Sequence, residues 1–211
     1  PLNWFWGSEH NLGDRDNILM AVDYSWRIKP RTIVYQTLLW DELDWTKLFK
    51  PWWGNKYVFQ TGIYLVPFTN PKYPDFRVEW TVSRPWVYTH DDSLSNYTSG
   101  DIGLGFPNGS NAQLLYVESN WWLFPQSLWT VSYRHLLKGS GLGSHPTHNY
   151  DDRDRSLDDN MPFLFGETTD SNQIELRGTY RLSLMLKGFA IISYHDQEKQ
   201  LTSQIGFVFN W

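Results

Sequence analysis

The final stretch of the sequence, residues 204–211, constrains the fold more than any other segment. Every second residue in it is large and apolar: Ile205, Phe207, Phe209 and Trp211. This period of two predicts a β-strand that places all four side chains on one face. In a soluble sheet, such an aromatic edge strand would promote edge-to-edge aggregation. In a bilayer the same face would contact lipid, with the last ring at the membrane interface.

The spacing of polar, glycine and aromatic residues in this stretch resembles the terminal insertion signal of bacterial outer-membrane β-barrels. The positions that carry the resemblance are Gln204, Gly206, Phe209 and Trp211. The resemblance implies that the barrel-insertion machinery is a partner of the chain. The alternative interpretation is an ordinary buried last strand of a soluble sheet.

The composition narrows the possible classes of protein. A length of 211 residues suits one domain, or a piece of a larger one. The absence of Cys excludes both a disulfide framework and a thiolate metal site. A net charge of −5 without any basic run argues against a nucleic-acid partner. Apolar runs are far shorter than the ~18 residues of a membrane helix, whereas the aromatic content of 18% is high for a soluble domain.

Alternation of apolar and polar residues predicts about ten strands along the chain. The predicted strands are 2–6 (a short remnant), 18–27, 32–41, 55–65, 75–84, 112–122, 127–135, 173–182, 184–195 and 202–211. Most are close to the length that crosses a bilayer at ~45° tilt. The strand 32–41 has apolar residues on both faces, and its two sides are not assigned.

The predicted connections differ in length at the two ends of these strands. If the last strand ends in the periplasm, the periplasmic connections are 183, 123–126, 66–74 and 28–31. The extracellular connections are then 197–201, 138–172, 90–111, 42–54 and 7–16, of which four are long. Short turns on one side and long loops on the other are typical of outer-membrane barrels.

These observations predict an all-β protein, a transmembrane antiparallel up-and-down β-barrel in a bacterial outer membrane. Residues 1–211 form a single domain that is expected to be the C-terminal portion of a longer chain and part of a larger barrel. Lipid and lipopolysaccharide are its expected surroundings. The residues predicted to line the lumen are Arg77, Glu79, Glu175, Arg177 and Arg181, together with Asp23 and Arg134. The alternative is the solvated face of a soluble sheet.

Several loop segments resemble the capsule assembly protein Wzi family. The segments are 6–10, 53–56, 85–90, 96–98, 104–111 and 133–139. Members of that family are larger outer-membrane barrels linked to the attachment of capsular polysaccharide. The resemblance implies that these strands correspond to the C-terminal part of such a barrel, and that surface polysaccharide is a partner. The chain departs from the family in showing no N-terminal helical segment and a looser Gly-rich stretch at 105–109.

No catalytic signature accompanies these strands, so the chain is not expected to be an enzyme and no cofactor is expected. His145 and His148 have an H-x-x-H spacing, but on a loop this spacing is more often incidental than a metal site. The acidic run 151–159 does not have EF-hand spacing, and a solvated loop is favoured over a Ca²⁺ site.

Aromatic residues near the predicted extracellular rim are the candidates for ligand binding. The set is Trp52, Trp53, Trp86, Tyr88 and Tyr97, with His90 among them and Trp45 nearby. One interpretation is an interfacial girdle, and the other is stacking against sugar rings. The function predicted from the sequence is a non-enzymatic barrel that binds or anchors polysaccharide. The alternatives are a porin-like channel for small solutes and a secreted carbohydrate-binding β-sandwich.

Overall fold

A computed structural model of the chain describes residues 19–42, 44, 46–47, 50–70, 72–90, 93–100 and 102–209. These residues form an all-β structure with three short 3-10 helices, Ser93–Ser95, Tyr150–Asp152 and Arg155–Leu157. The strands are β1 Met20–Lys29, β2 Thr32–Glu42, β3 Lys56–Leu65, β4 Asp75–Ser83, β5 Thr98–Ser99, β6 Ile102–Gly103, β7 Ala112–Phe124, β8 Ser127–Gly139, β9 Thr168–Arg181, β10 Leu186–His195 and β11 Gln200–Phe209. No helix in the described part of the chain is long and apolar enough to cross a membrane.

Nine of these strands form one antiparallel sheet in the order β1-β2-β3-β4-β7-β8-β9-β10-β11. Apart from the β5–β6 pair inserted in one loop, each strand pairs with the next in the sequence, which confirms the predicted antiparallel up-and-down connectivity. β1 and β11 lie at the two edges and do not pair with each other in the described residues. The sheet is therefore open here, and the closed barrel is not formed by these residues.

Strand positions agree with the predicted ones except around the last long loop. The sequence pattern assigned 138–172 to a loop, but β8 continues to Gly139 and β9 begins at Thr168. The added pairs join Gly139 to Thr168 and His135 to Asn172. Residues 168–172 are polar at every position, so they carry no alternating pattern although their backbone pairs normally. The predicted strand 2–6 and loop 7–16 lie outside the described residues.

The long connections lie together at one end of the sheet. Residues 43–55, 84–111 and 140–167 connect strands there, as does the short turn 196–199. At the opposite end the connections are 30–31, 66–74, 125–126 and 182–185. The predicted asymmetry of loop length is thus confirmed for the connections that the structure describes, and the connection before β11 is short, as predicted.

Strand register aligns apolar side chains into one continuous face of the sheet. A single row of directly paired residues crosses all nine strands: Trp26, Val34, Ile63, Val78, Val117, Tyr133, Ile174, Tyr194 and Leu201. Paired residues share a face of the sheet, so none of these positions interrupts the apolar surface. Six of the nine are exposed, Leu201 to 69%. We call this surface the apolar face.

The opposite surface is polar in the adjacent row of pairs. That row, one residue away on every strand, is Ser25, Tyr35, Gly62, Glu79, Tyr116, Arg134, Gln173, His195 and Gln200. We call this surface the polar face. Gly62 has a specific role in this row, since a Cβ there would lie 2.3 Å from the Tyr35 ring. The glycine lets the ring lie flat across β3.

Fully buried side chains are concentrated in the loops rather than between the strands. They include Trp86, Val87, Thr89, Ser110, Asn111 and Met161. Since the described strands form a single open layer, the densest packing lies where the three long loops meet. We call this assembly of residues 50–55, 84–111 and 140–167 the loop layer.

Candidate functional site

The residues predicted to line a lumen all lie on the polar face. Glu79 is in the polar row itself, and Arg77 lies two residues from it on β4. On β9, the residues Glu175, Arg177 and Arg181 have the same parity as Gln173, which belongs to that row. The sequence therefore grouped these charged side chains correctly by face.

An ion-pair network fills the polar face over β2, β3 and β4. The Arg77 guanidinium pairs with the Glu79 carboxylate and donates through Nε to the Tyr35 hydroxyl at 2.9 Å. Tyr35 donates in turn to Glu79 at 2.7 Å, and Gln60 Nε2 donates to the other Glu79 oxygen at 2.8 Å. Glu79 is 7% exposed and uses both oxygens. This cluster stabilises the sheet by satisfying its charges internally.

A second set of hydrogen bonds continues the network toward the short turns. Tyr64 donates to one oxygen of Asp75 at 3.0 Å, while the Asn120 amide donates to the other at 2.9 Å. Thr130 donates to the Asn120 carbonyl oxygen at 2.7 Å. These contacts link β3, β4, β7 and β8 across the polar face. These four side chains thus bind one another through hydrogen bonds.

Arg84, the first residue after β4, joins two of the three loops. Its guanidinium donates to the carbonyls of Trp52 and Pro162, both at 3.2 Å, with a longer contact to that of Met161. The Phe163 ring lies 5.6 Å from the guanidinium carbon. Burial lowers the pKa of Arg84, yet guanidinium remains protonated at neutral pH. A buried cation that binds backbone carbonyls holds the loops together without requiring a carboxylate.

Lys138, near the end of β8, makes a comparable set of contacts to the other side of the loop layer. Its ammonium donates to the carbonyls of Asn108, Ser110 and Ser144. An ammonium has three N–H donors, and all three are used. The two loops 84–111 and 140–167 are therefore bound to the same cation.

The loop 84–111 folds back over the polar face of the sheet. Val87 and Tyr88 form a buried cluster with Val58 of β3, and Leu39 of β2 and Phe106 pack against it. Leu39 and Val58 pair directly and lie on the polar face. This arrangement explains why β2 is apolar on both sides: one side belongs to the apolar face, and the loop covers the other.

Two of the aromatic residues predicted to stack on sugars are buried inside this loop. Trp86 is 0% exposed and Tyr88 is 2% exposed. The Tyr88 hydroxyl accepts from Phe106 N–H at 2.8 Å, and burial raises the pKa of Tyr88 to about 12. Neither ring presents a face to an external ligand, so the prediction that they stack on sugars does not fit this structure. Their backbone φ angles of 69° and 74° show how sharply the chain turns to bury them.

The rings of Trp52 and Trp53 are half-buried, and their faces are already occupied. Lys47 lies over the Trp52 ring, and a Cβ on Gly54 would lie 2.5 Å from it. Lys56 and Arg153 both lie over Trp53, the guanidinium at 3.7 Å from the ring centre. These cation–π contacts stabilise the loops. A sugar would have to displace them in order to stack on either indole.

His90 and Tyr97 complete the predicted set and lie near the surface of the same loop. His90 N–H donates to the Asn96 side chain at 2.6 Å. Tyr97 stacks on Tyr88 with ring centres 5.8 Å apart and keeps 38% of its surface exposed. Among the predicted aromatic residues that the structure describes, Tyr97 is the most exposed.

The histidine pair and the acidic run are also engaged within the loop layer. His148 Nδ1 accepts from Gly143 N–H at 3.0 Å, and burial lowers the pKa of His148. In the acidic run, Asp158 pairs with Arg153 and Asp159 with Lys47. Among the described residues no group of three or more His, Asp or Glu side chains could hold a metal ion.

A polar recess lies where the polar face meets the loop layer, and it was not predicted from the sequence. It has a volume of about 210 Å³ and lies over β7, β8, β9 and β10, beside the turn that follows β10. Its lining includes Asn108, Leu114, Arg134, Gln173 and His195. Arg134, Gln173 and His195 lie beside one another on the polar face of β8, β9 and β10. The sequence alone does not show this grouping, because it depends on the register of the strands.

The terminal residues predicted to form the insertion signal lie partly within β11. Gln204 and Gly206 are on the polar face, and Phe209 is on the apolar face opposite Leu186. Phe209 is 65% exposed. A Cβ on Gly206 would lie 2.6 Å from the Phe189 ring, so the glycine makes room for a neighbouring aromatic side chain. Trp211 lies outside the described residues.

In comparisons with known proteins, no family model matches the chain and no curated protein matches it.

Proposed function

We propose that this sheet is part of the wall of a bacterial outer-membrane β-barrel. The observation that carries the proposal is the unbroken apolar row across nine strands, beside a row that is polar in eight strands and has Gly62 in the ninth. Lipid would cover the apolar face, and water or further protein would cover the polar face. The grouping of long loops at one end supports an extracellular position for that end.

The apolar face would be unstable in water without a cover. Soluble monomers rarely expose a contiguous apolar patch above a few hundred Å². Trp26, Ile174 and Leu201, each more than half exposed, belong to a surface that extends over the whole width of the sheet. A secreted β-sandwich would cover it with a second sheet, and the described residues contain only the two-stranded β5–β6 ladder besides the large one.

We further propose that the extracellular end handles or anchors surface polysaccharide without catalysing a reaction. This proposal starts from the resemblance of short sequence segments to the capsule assembly family. Two observations support it: the hydrogen bonds that join the loops of the loop layer, and the polar recess beside that layer. Buried cations such as Arg84 keep the loops in one arrangement. A fixed arrangement of polar groups binds a polyhydroxylated ligand at a smaller entropic cost than a mobile loop does.

A channel for small solutes is a second candidate function, favoured by the charges on the polar face. Arg77, Glu79, Arg177 and Arg181 would face a water-filled lumen in a closed barrel. The loop 84–111, folded over the same face, would narrow that lumen. If this function is correct, reversing the charge of Arg177 and Arg181 shifts the ion selectivity measured in planar bilayers.

Site-directed spin labelling tests the membrane assignment directly. The chain contains no Cys, so a single introduced thiol can be labelled without a background. Ile191 and Ile192 are adjacent on β10, the first on the polar face and the second on the apolar face. In vesicles, a nitroxide on Ile192→Cys should relax faster with oxygen, which partitions into lipid. A nitroxide on Ile191→Cys should respond more to a water-soluble nickel chelate.

Equal responses at the two positions would contradict a membrane-spanning sheet, as would a purified chain that is monodisperse without detergent.

The polysaccharide function is tested separately, in whole cells. Removing the protein should release surface polysaccharide into the medium, and restoring it should return the polymer to the cell. The channel function is tested by measuring the conductance of planar bilayers that contain the purified full-length barrel. A bilayer that conducts no current excludes this function.

A further inference from the structure

The polar face divides into two regions that differ in how their polar groups are satisfied. Over β2–β4 the side chains of Tyr35, Arg77 and Glu79 bind one another. In the recess, by contrast, the side chains of Arg134, Gln173 and His195 make no hydrogen bond or ion pair with any described residue. Arg134 stacks on the Tyr116 ring at 5.4 Å, which orients the guanidinium without using its N–H donors. The recess therefore holds polar groups that are available to a ligand.

The lining combines a small apolar surface with several polar side chains. Leu114 and Leu136 pair directly and form an apolar patch on the polar face. Around it lie the guanidinium of Arg134, the Gln173 amide and the Asn108 side chain. Sugar rings present the same combination, because their C–H faces are apolar and their edges carry hydroxyl groups. The volume of about 210 Å³ is below the ~300–1,000 Å³ typical of pockets for larger ligands, so it suits a single sugar residue.

Among the described residues, Arg134 is the one arginine in the lining of the recess, and the charged groups around it bear on which ligand suits the recess. Two acidic side chains, Asp196 and Glu198, also line the recess. Asp196 accepts hydrogen bonds from the backbone and side-chain N–H groups of Asn172, both at 2.7 Å. These bonds hold the pKa of Asp196 below its usual range, so the carboxylate stays ionised, and each of its two oxygens accepts a hydrogen bond from Asn172. Glu198 is exposed on the following turn. Guanidinium binds carboxylate through two parallel hydrogen bonds, and in the recess it has no protein carboxylate as partner.

We propose that the recess binds one carboxylate-bearing sugar residue of an acidic polysaccharide. Arg134 binds the carboxylate, Gln173 and Asn108 bind hydroxyl groups, and Leu114 and Leu136 pack against the ring. This inference rests on the proposed polysaccharide function, to which it adds the class of ligand and the residue that selects it. The site is separate from the rim aromatics predicted from the sequence.

Binding of defined oligosaccharides to the purified full chain in detergent tests this site. The probes are tetragalacturonate, which carries a carboxylate on every residue, and the same tetrasaccharide after chemical reduction of its carboxyl groups. Isothermal titration should give an affinity for tetragalacturonate at least tenfold higher than for the reduced probe. Arg134→Gln should lower the affinity for tetragalacturonate by about tenfold or more, as expected for loss of hydrogen bonds to a charged group. The affinity for the reduced probe should not change.

Arg181→Gln is the matched control, since Arg181 is on the polar face at the other end of β9 and outside the recess. It should leave both affinities unchanged. Gln173→Ala is a second variant, which should lower the affinities for the two probes by the same factor. The site therefore remains testable if Arg134→Gln does not fold. Folding of each variant is checked by heat-modifiable migration in gels.

Equal affinity for the two probes, or an Arg134→Gln variant that binds tetragalacturonate like the original chain, overturns the assignment. Failure of both probes to bind also overturns it. The whole-cell experiment separates these results from the proposed function. If cells retain polysaccharide through this protein while neither probe binds, the assignment of the recess is wrong and the proposed polysaccharide function is correct.

Discussion

Asn111 binds the backbone of Phe165 through both ends of its side-chain amide. Its Nδ2 donates to the Phe165 carbonyl and its Oδ1 accepts from Phe165 N–H, each at 2.8 Å. The residue has a φ of 57°, a left-handed conformation that Asn tolerates better than most residues. The start of β7 is thereby joined to the loop that ends at β9.

Two substitutions of Asn111 distinguish the contribution of its side-chain hydrogen bonds to stability from the contribution of its backbone conformation. Asn111→Gly keeps the left-handed backbone and loses both amide bonds, at about 1 kcal/mol each. Asn111→Ala loses the same bonds and adds the left-handed strain of about 1 kcal/mol. We therefore expect faster amide hydrogen exchange at Phe165 in both variants, and fastest in Asn111→Ala. Equal exchange in the two variants would show that the φ of residue 111 does not contribute.

Trp86 offers a test of whether a rim aromatic is structural. Its ring is fully buried against Gly143, where an added Cβ would lie 2.6 Å from the indole. Its Nε1 has no hydrogen-bond partner among the described residues. Trp86→Ala should destabilise the loop layer by about 3–5 kcal/mol, as expected for a large buried aromatic. Trp86→Phe should cost less, because it removes an N–H that binds nothing.

Protease sensitivity measures this difference, since Arg153 and Arg155 lie in the loop 140–167 and offer sites for trypsin. Cleavage there should accelerate strongly in Trp86→Ala and weakly in Trp86→Phe. Tyr97→Ala is a useful comparison because Tyr97 is partly exposed. If Trp86→Ala left cleavage unchanged while reducing polysaccharide retention, the ring would have a binding role after all.

The period-two pattern predicted the sheet accurately because apolar side chains collect on one face of the sheet and polar side chains on the other. Val78 and Glu79 are adjacent on β4, yet they belong to opposite rows that continue across the sheet. Side-chain parity along each strand was therefore sufficient to group the charged residues. It failed for residues 168–172, where polar residues on both faces left no period to detect.

The candidate site could not be predicted because it depends on contacts between distant segments. Trp86 and Tyr88 resemble rim aromatics in the sequence, but contacts with Gly143 and Asp41 bury them within the loop layer. The recess is lined in part by Arg134, Gln173 and His195, which are up to 61 residues apart in the sequence and meet only through the register of β8, β9 and β10. Local patterns do not record which loop folds over which face.

The contact between Gly143 and His148 predicts a pH-dependent loop. Gly143 N–H donates to His148 Nδ1, which requires that this nitrogen be unprotonated. Burial lowers the pKa of His148, and the nearby His145 and Lys138 lower it further. The folded loop thus binds a proton less readily than the unfolded loop, so its stability falls as the pH drops below about 6.5.

Hydrogen exchange at Gly143, corrected for the intrinsic rate, should therefore accelerate between pH 7.5 and pH 5. His148→Gln keeps an acceptor without a titrating group and should flatten this dependence. His145→Gln, on the exposed neighbour, should retain most of it. A dependence that persists in His148→Gln would assign the transition to another group.

The last strand provides the final prediction, which concerns assembly. Phe209 is on the apolar face near the end of β11, and Val208 is on the polar face beside it. If the terminal aromatics anchor the strand at the membrane interface, changing Phe209 and Trp211 to Ala should block insertion and leave the chain in the periplasm, where it is degraded. Val208→Ala removes a neighbouring apolar side chain from the other face and should insert normally. The measurement is the fraction of heat-modifiable protein in the outer-membrane pellet, and equal fractions for the two variants would contradict a role for the aromatic terminus.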